Sequence, residues 1–180
     1  VNSIIANAFP YSIDLGLRGL AFAVVGGLIL GIIAALNQNK VWDHLSMVIA
    51  VVGISIPSFV IGTLLQYVFA VKLGWLPVAQ WKSFAATIMP SLAVGIGTLA
   101  MIARLMRANM LEVVGEDYIV TAKSKGLSPV EVTVKHQIRN AILPVITVLG
   151  PTTASLLTVT FVIENIFAIP GLGKHYVYSI

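Results

Sequence analysis

Four long apolar stretches, separated by polar segments of unequal length, dominate the pattern of this 180-residue chain. They cover residues 15–36, 45–71, 83–103 and 140–163, and the last three carry no charged side chain. Each is long enough to cross about 30 Å of hydrocarbon as a helix of roughly 20 residues. The pattern predicts an all-α fold, a polytopic transmembrane helical bundle with at least four spans, in a single transmembrane domain over 1–180.

Residues 104–139 form a long charge-rich segment between the third and fourth stretches, which we read as two short helices joined by a tight turn. Its first half carries an amphipathic stripe at spacings of three, four and four, at Leu111, Val114, Tyr118 and Ala122. Gly126 then stands where a helix C-terminus favours a left-handed residue. The second half begins with a helix start signal: Ser128 as N-cap, Pro129 at the first helical position and Glu131 closing a capping box.

Composition agrees with a membrane protein and adds an orientation. Hydrophobic residues make up 58% of the chain, charged residues 10%, and the mean hydropathy is +0.96. Six basic residues fall in the segment 104–139, which predicts a cytoplasmic position for it. Alternation then places 37–44 inside, and 72–82 and 164–174 outside. The net charge of +4 is therefore explained by topology, and no aromatic-basic pattern suggests nucleic-acid binding.

The two ends of the chain suggest a longer protein. The sequence begins with Val1 rather than Met, and another apolar run starts near 176–180. We therefore expect at least one further span beyond the C-terminus.

The predicted spans are rich in glycine, proline and hydroxyl side chains. One interpretation of the glycines and prolines is close helix packing with tolerated kinks. The other is that kinked helices form a cavity that opens to either side of the membrane. The glycines and prolines taken together favour the cavity. Hydroxyls at Ser55, Thr152, Thr153 and Ser155 are candidates for a pore lining. The alternative for each is a hydrogen bond to its own helix backbone. No ionisable residue interrupts the second to fourth spans, which disfavours an ion-driven carrier.

The sequence offers no catalytic set and no metal site. His44, His136 and His175 are far apart, and no HExxH motif occurs. The GLGK run at 171–174 lacks the first glycine and the Ser/Thr of a P-loop. We expect no enzyme activity and no cofactor bound by this chain. The energy for any transport must therefore be supplied by another protein.

Several motifs in order carry a resemblance to a known family. The sequence is YIVTAKSKGLS at 118–128 and RNAILP at 139–144. Further matches are LN at 36–37, WD at 42–43, SIPSF at 55–59, GWLP at 74–77, Glu164, and IFAIPGLG at 166–173. Together they resemble the permease subunits of bacterial ABC importers of the type I fold, in particular the B-type subunit of the oligopeptide and dipeptide (peptide/nickel) branch. The general signature of these permeases opens Glu-Ala-Ala, whereas this chain has Val120-Thr121-Ala122. This departure resembles the one seen in the peptide/nickel branch.

The resemblance implies a role for a cytoplasmic coupling segment, residues 108–139, which docks on an ATPase in that family. Residues carried over to this contact are Tyr118, Thr121, Ala122, Lys123, Gly126 and Leu127. The alternative is an amphipathic helix lying on the anionic inner leaflet.

The resemblance also implies a complex in the bacterial plasma membrane. Its parts are a second permease subunit, two cytoplasmic ATPases that use ATP and Mg, and an extracellular peptide-binding protein. Peptide import by alternating access is the expected function. A nickel-importing permease of the same branch is the nearest alternative. A secondary transporter or channel and an intramembrane enzyme are the alternatives from other classes.

Overall fold

The computed structural model describes residues 2–174, with side chains from residue 5 onward except that of residue 159. The regular elements in this part of the chain are all helical. They are α1 Asn2–Leu36, α2 Val41–Ser55, α3 Ser58–Leu65, α4 Phe84–Val114, α5 Asp117–Ser124, α6 Pro129–Val132, α7 Arg139–Ala141 and α8 Leu143–Ile166. Two π-helical turns, Gln66–Lys72 and Thr133–Ile138, continue α3 and α6. The expected apolar run near 176–180 and His175 lie outside the described residues.

Helices α1 and α4 form the centre of the bundle and approach each other through glycines. A Cβ at Gly27 would lie 2.8 Å from the carbonyl oxygen of Leu99, and a Cβ at Gly95 would run into the carbonyl oxygen of Gly19. Without side chains at these points, the two backbones come close enough for Ile102 and other side chains of α4 to be fully buried. Close packing therefore explains most of the glycines in the spans.

The second predicted span, 45–71, is not one straight helix. Helices α2 and α3 are separated at Ile56 and Pro57, and the two halves are bent by 105°. Pro57 cannot donate a backbone hydrogen bond and biases the residue before it toward an extended conformation, which Ile56 adopts with φ −97° and ψ 125°. By length and composition three helices could cross a membrane, and four if the bent pair counts as one span.

The amphipathic stripe predicted from Leu111 to Ala122 is wrong as a single helix. Helix α4 continues far beyond the predicted end at 103 and stops at Val114. Gly115 and Glu116 then separate it from α5. Leu111 and Val114 belong to the end of α4, and Tyr118 and Ala122 belong to α5. The spacing of the apolar residues does not reveal this break. Gly115, the C-cap of α4, has a φ of −83° and not the left-handed conformation that often marks a glycine at a helix end.

Helix α8 runs to Ile166, so Glu164 is part of the helix rather than of an outer loop. Its side chain is fully buried, and its Oε2 accepts a hydrogen bond from the N–H of Gly173 at 2.7 Å. A Cβ at Gly171 would collide with the same carboxylate. Residues 140–163 carry no charged side chain, but the helix continues beyond them and includes Glu164. The GLGK run serves to wrap the chain around Glu164.

Candidate functional site

The coupling segment lies at the same end of the bundle as the turn between α1 and α2. A groove of about 480 Å³ separates them and is lined from one side by Leu36 and Lys40 and from the other by Lys123 and Pro129. The opposite end contains the loop 73–83, where the N–H of Gln80 donates to the carbonyl of Phe167 at 2.8 Å. Of the eleven basic residues in the chain, seven lie at the end with the coupling segment. The fold therefore groups the segments as the topology prediction requires.

Gly126 makes the turn that was predicted for it. Its φ is +79°, and its N–H donates to the carbonyl of Lys123 at 3.0 Å. The N–H of Leu127 donates to the carbonyl of Ala122 at 3.4 Å. These two bonds are the pair that defines a Schellman motif, which ends α5 and reverses the chain direction.

The capping box at the start of α6 is also present. The Oγ of Ser128 accepts from the N–H of Glu131 at 3.3 Å, and the N–H of Ser128 donates to Glu131 Oε2 at 3.2 Å. Pro129 occupies the first helical position. The ammonium of Lys135, 3.1 Å from the Glu131 carboxylate, lowers the pKa of that carboxyl together with the Ser128 bonds. The turn is thus fixed on both sides of Gly126 by local bonds.

A small apolar core holds α5 against α6. Ile119, Ala122 and Val132 are buried together, with Val113 and Leu127 packed around them. Ala122, one of the predicted docking residues, therefore faces inward. It packs beneath the exposed surface of α5 and is not part of that surface.

Three of the other predicted docking residues lie on α5, whereas Gly126 and Leu127 follow it and Leu127 packs against the small apolar core. Tyr118, Thr121 and Lys123 are exposed, and Val120 beside them is 57% exposed. Partial burial, followed by the carboxylate of Glu116, raises the pKa of the Tyr118 hydroxyl above its usual value. An exposed helix surface that carries aromatic, aliphatic and basic side chains suits contact with another protein.

A cavity of about 290 Å³ lies where the break between α2 and α3 faces α4 and α8. Its lining includes four residues with hydroxyl side chains, Ser58, Thr98, Thr152 and Ser155. Two of the four predicted pore residues, Thr152 and Ser155, are thus brought together. The other two, Ser55 and Thr153, lie outside this lining and donate to the carbonyls of Val51 and Leu149, as Thr152 does to Val148.

Sequence reasoning missed a buried ion pair between α2 and α4. Arg107 donates from Nε and Nη2 to the two carboxylate oxygens of Asp43, each at 2.6 Å. Both residues were noted separately, Asp43 within the WD motif and Arg107 among the basic residues. A carboxylate and a guanidinium at the same end of two neighbouring apolar helices is a signal that could have paired them.

Comparisons with known proteins agree with this architecture. Residues 27–180 match the family described as "Binding-protein-dependent transport system inner membrane component". The chain belongs to this family of transport-system membrane components. The dipeptide transport system permease protein DppB of Bacillus subtilis (strain 168) is 52% identical over 100% of the chain. The oligopeptide transport system permease proteins OppB of Haemophilus influenzae and of Escherichia coli (strain K12) are 46% and 40% identical over 98% of the chain.

A solved structure shares the fold. It is titled "Crystal structure of an amino acid ABC transporter with histidines", and it superposes with a TM-score of 0.72 over 98% of this chain and 78% of its own. At 18% identity it supports the fold alone. The chain spans 58% of the length of each of the three relatives named above. The all-α permease fold predicted from the sequence is confirmed.

Proposed function

We propose that this chain is part of the permease subunit of an ATP-driven ABC importer that moves oligopeptides or dipeptides into the cell. The complex would contain a second permease subunit, two cytoplasmic ATPases that use ATP and Mg, and an extracellular peptide-binding protein. It would lie in the bacterial plasma membrane as a multi-pass protein. This proposal is supported by the family and by relatives whose names state dipeptide or oligopeptide transport.

The coupling segment is the observation that carries the proposal. It extends from the end of α4 as two short helices fixed by a Schellman turn and a capping box. The segment has its own apolar core and exposed side chains at Tyr118 and Lys123, so it would move as one unit. ATPase closure would displace it and shift the bundle between inward-open and outward-open states, because the partner binds the two states differently.

The chemistry of the cavity favours a peptide as cargo over a nickel ion. Its polar groups are hydroxyls, with apolar walls from Ile54, Ile56 and Leu156. Hydroxyls can hydrogen-bond any peptide backbone regardless of its side chains, whereas Ni²⁺ is bound best by imidazole and similar donors. We infer that sequence preference is set by the binding protein rather than by this cavity.

The function is tested by uptake into proteoliposomes that contain the assembled transporter. With ATP inside and peptide-loaded binding protein outside, labelled peptide should accumulate, and ADP in place of ATP should give none. Nickel offered in the same assay should not accumulate. Uptake of nickel without peptide uptake would establish the alternative within the branch.

The proposed orientation is tested with single cysteines, since the 180 residues contain no native cysteine. Val78→Cys and Ser124→Cys both lie at exposed positions at opposite ends of the bundle. In intact cells a membrane-impermeant thiol reagent should label position 78 and miss position 124, and both should react after permeabilisation. Labelling of position 124 alone from outside would reverse the topology.

A further inference from the structure

We refer to the exposed side of α5 at Tyr118, Val120 and Thr121 as the docking face. The buried ion pair lies apart from both the docking face and the cavity. The side chain of Asp43 is 2% exposed and that of Arg107 is 25% exposed. The Asp43 carboxylate also accepts a hydrogen bond from the N–H of Asn39 at 2.9 Å, in the turn that precedes α2. A planar guanidinium held by both oxygens of one carboxylate fixes orientation as well as distance. The start of α2 is therefore pinned to one point on α4.

The rest of the contact between α2 and α4 is built mostly from small side chains, with Ile96 of α4 also close to Gly53. Ala50 packs against Ala100 and Ala103, and a Cβ at Gly53 would lie 3.3 Å from that of Ala100. Small side chains give shallow ridges and grooves, which hold two helices close but oppose sliding only weakly. Within residues 2–174, no other side-chain hydrogen bond joins these two helices. The ion pair is therefore the polar side-chain contact that ties the described parts of these two helices to each other along the axis.

The two ends of this connection lead to the two functional regions. Arg107 is seven residues before Val114, where α4 ends and the two short helices of the coupling segment follow, a distance of roughly 10 Å along a helix. Asp43 is at the start of α2, whose far end at Gly53 and Ile54 lines the cavity roughly 15–18 Å away. Helix α2 thus extends from the ion pair to the cavity.

We propose that Asp43 and Arg107 are positioning residues that make α2 move as one body with α4, so that displacement of the coupling segment reaches the cavity. This inference rests on the proposed function. When α4 is displaced, the pair carries α2 with it, and the break at Ile56 and Pro57 moves relative to α8. Without the pair, α4 slides along the small-residue face of α2, and ATP hydrolysis continues without opening the cavity.

The test measures the number of peptides taken up per ATP hydrolysed by the assembled transporter in proteoliposomes. Asp43→Asn should lower this ratio about tenfold or more, the size of a typical coupling between sites, while hydrolysis continues. Asp14→Asn is the matched control, because it breaks the 2.9 Å pair with Arg18 inside α1, where both side chains are half-buried and the ion pair joins no second helix. The control should keep the ratio of the unaltered complex.

A reversible cross-link separates positioning from a general loss of stability. Asp43→Cys and Arg107→Cys together remove both charges and should uncouple the transporter in the same way. Joining the two thiols with a short, reducible bis-thiosulfonate reagent should restore the ratio, and reduction should lower it again in the same sample.

Two results would overturn the inference: a normal ratio in Asp43→Asn, or equal ratios in the double-cysteine variant before and after cross-linking. If the complex without substitutions shows no ATP-driven peptide uptake at all, the proposed function is overturned, and with it the inference that rests on it.

Discussion

Replacing Gly126 by valine should reduce peptide uptake at least tenfold while the protein still inserts and accumulates in the membrane. Gly126 has a φ of +79°, and a Cβ there would meet nothing within 4 Å. The cost is therefore conformational, about 1–2 kcal/mol for an L-residue in the left-handed region, and larger for a β-branched one. Such an energy lowers the equilibrium constant for the turn by a factor of roughly 5–30. A short segment whose turn is only marginally stable would lose its docking face in most molecules. Uptake of labelled peptide by cells, normalised to membrane protein, measures this.

Two matched substitutions show whether the backbone conformation is responsible. Gly126→Asn should retain much of the uptake, since asparagine tolerates the left-handed region better than other residues. Gly115 is an exposed glycine just before α5 with an ordinary φ of −83°. Gly115→Ala should therefore leave uptake nearly unchanged, because the nearest atom to an added Cβ is the carbonyl oxygen of Glu112 at 3.7 Å. Unchanged uptake in Gly126→Val would remove the coupling segment from the mechanism.

Replacing Gly95 by leucine should prevent the protein from accumulating, and Gly95→Ala should lower its stability by about 1–3 kcal/mol, the usual cost of overpacking. A Cβ at this position meets the carbonyl oxygen of Gly19, a backbone atom that cannot turn aside, and lies 2.9 Å from Phe22 Cδ1. The two central helices would have to separate. The midpoint of thermal unfolding of the purified complex in detergent measures the effect.

Gly97→Ala is the control for this helix. It lies two residues further along α4, and the nearest atom to an added Cβ is the carbonyl oxygen of Gly53 at 3.8 Å. Alanine should fit there with little change in the unfolding midpoint. Equal midpoints for Gly95→Ala and Gly97→Ala would show that close approach of α1 and α4 does not limit stability.

Features that depend on neighbouring residues could be predicted from the sequence. The Gly126 turn and the capping box at Ser128 and Glu131 follow from backbone preferences within five or six residues, and both are present. The apolar stretches likewise predicted the helices, because their length reflects the thickness of a bilayer.

Features that depend on contacts between helices could not be predicted in the same way. Whether Pro57 kinks a helix or separates two depends on what packs against the break, and the 105° bend was missed. Glu164 was placed in the outer segment 164–174, but it lies in α8, and Gly171 and Gly173 bring the backbone close to its carboxylate. Thr152 and Thr153 are adjacent in the sequence, yet only Thr152 reaches the lining of the cavity.

The docking face of α5 can be tested directly by photo-crosslinking in the assembled transporter. A photoreactive amino acid at Thr121, on this exposed face, should crosslink to an ATPase subunit, and one at Trp75, 69% exposed at the opposite end, should not. The yield at 121 should also change when ATP is added, since the coupling segment is proposed to move with the ATPases. Crosslinking of the ATPase from position 75, with none from position 121, would contradict the proposed role of the coupling segment.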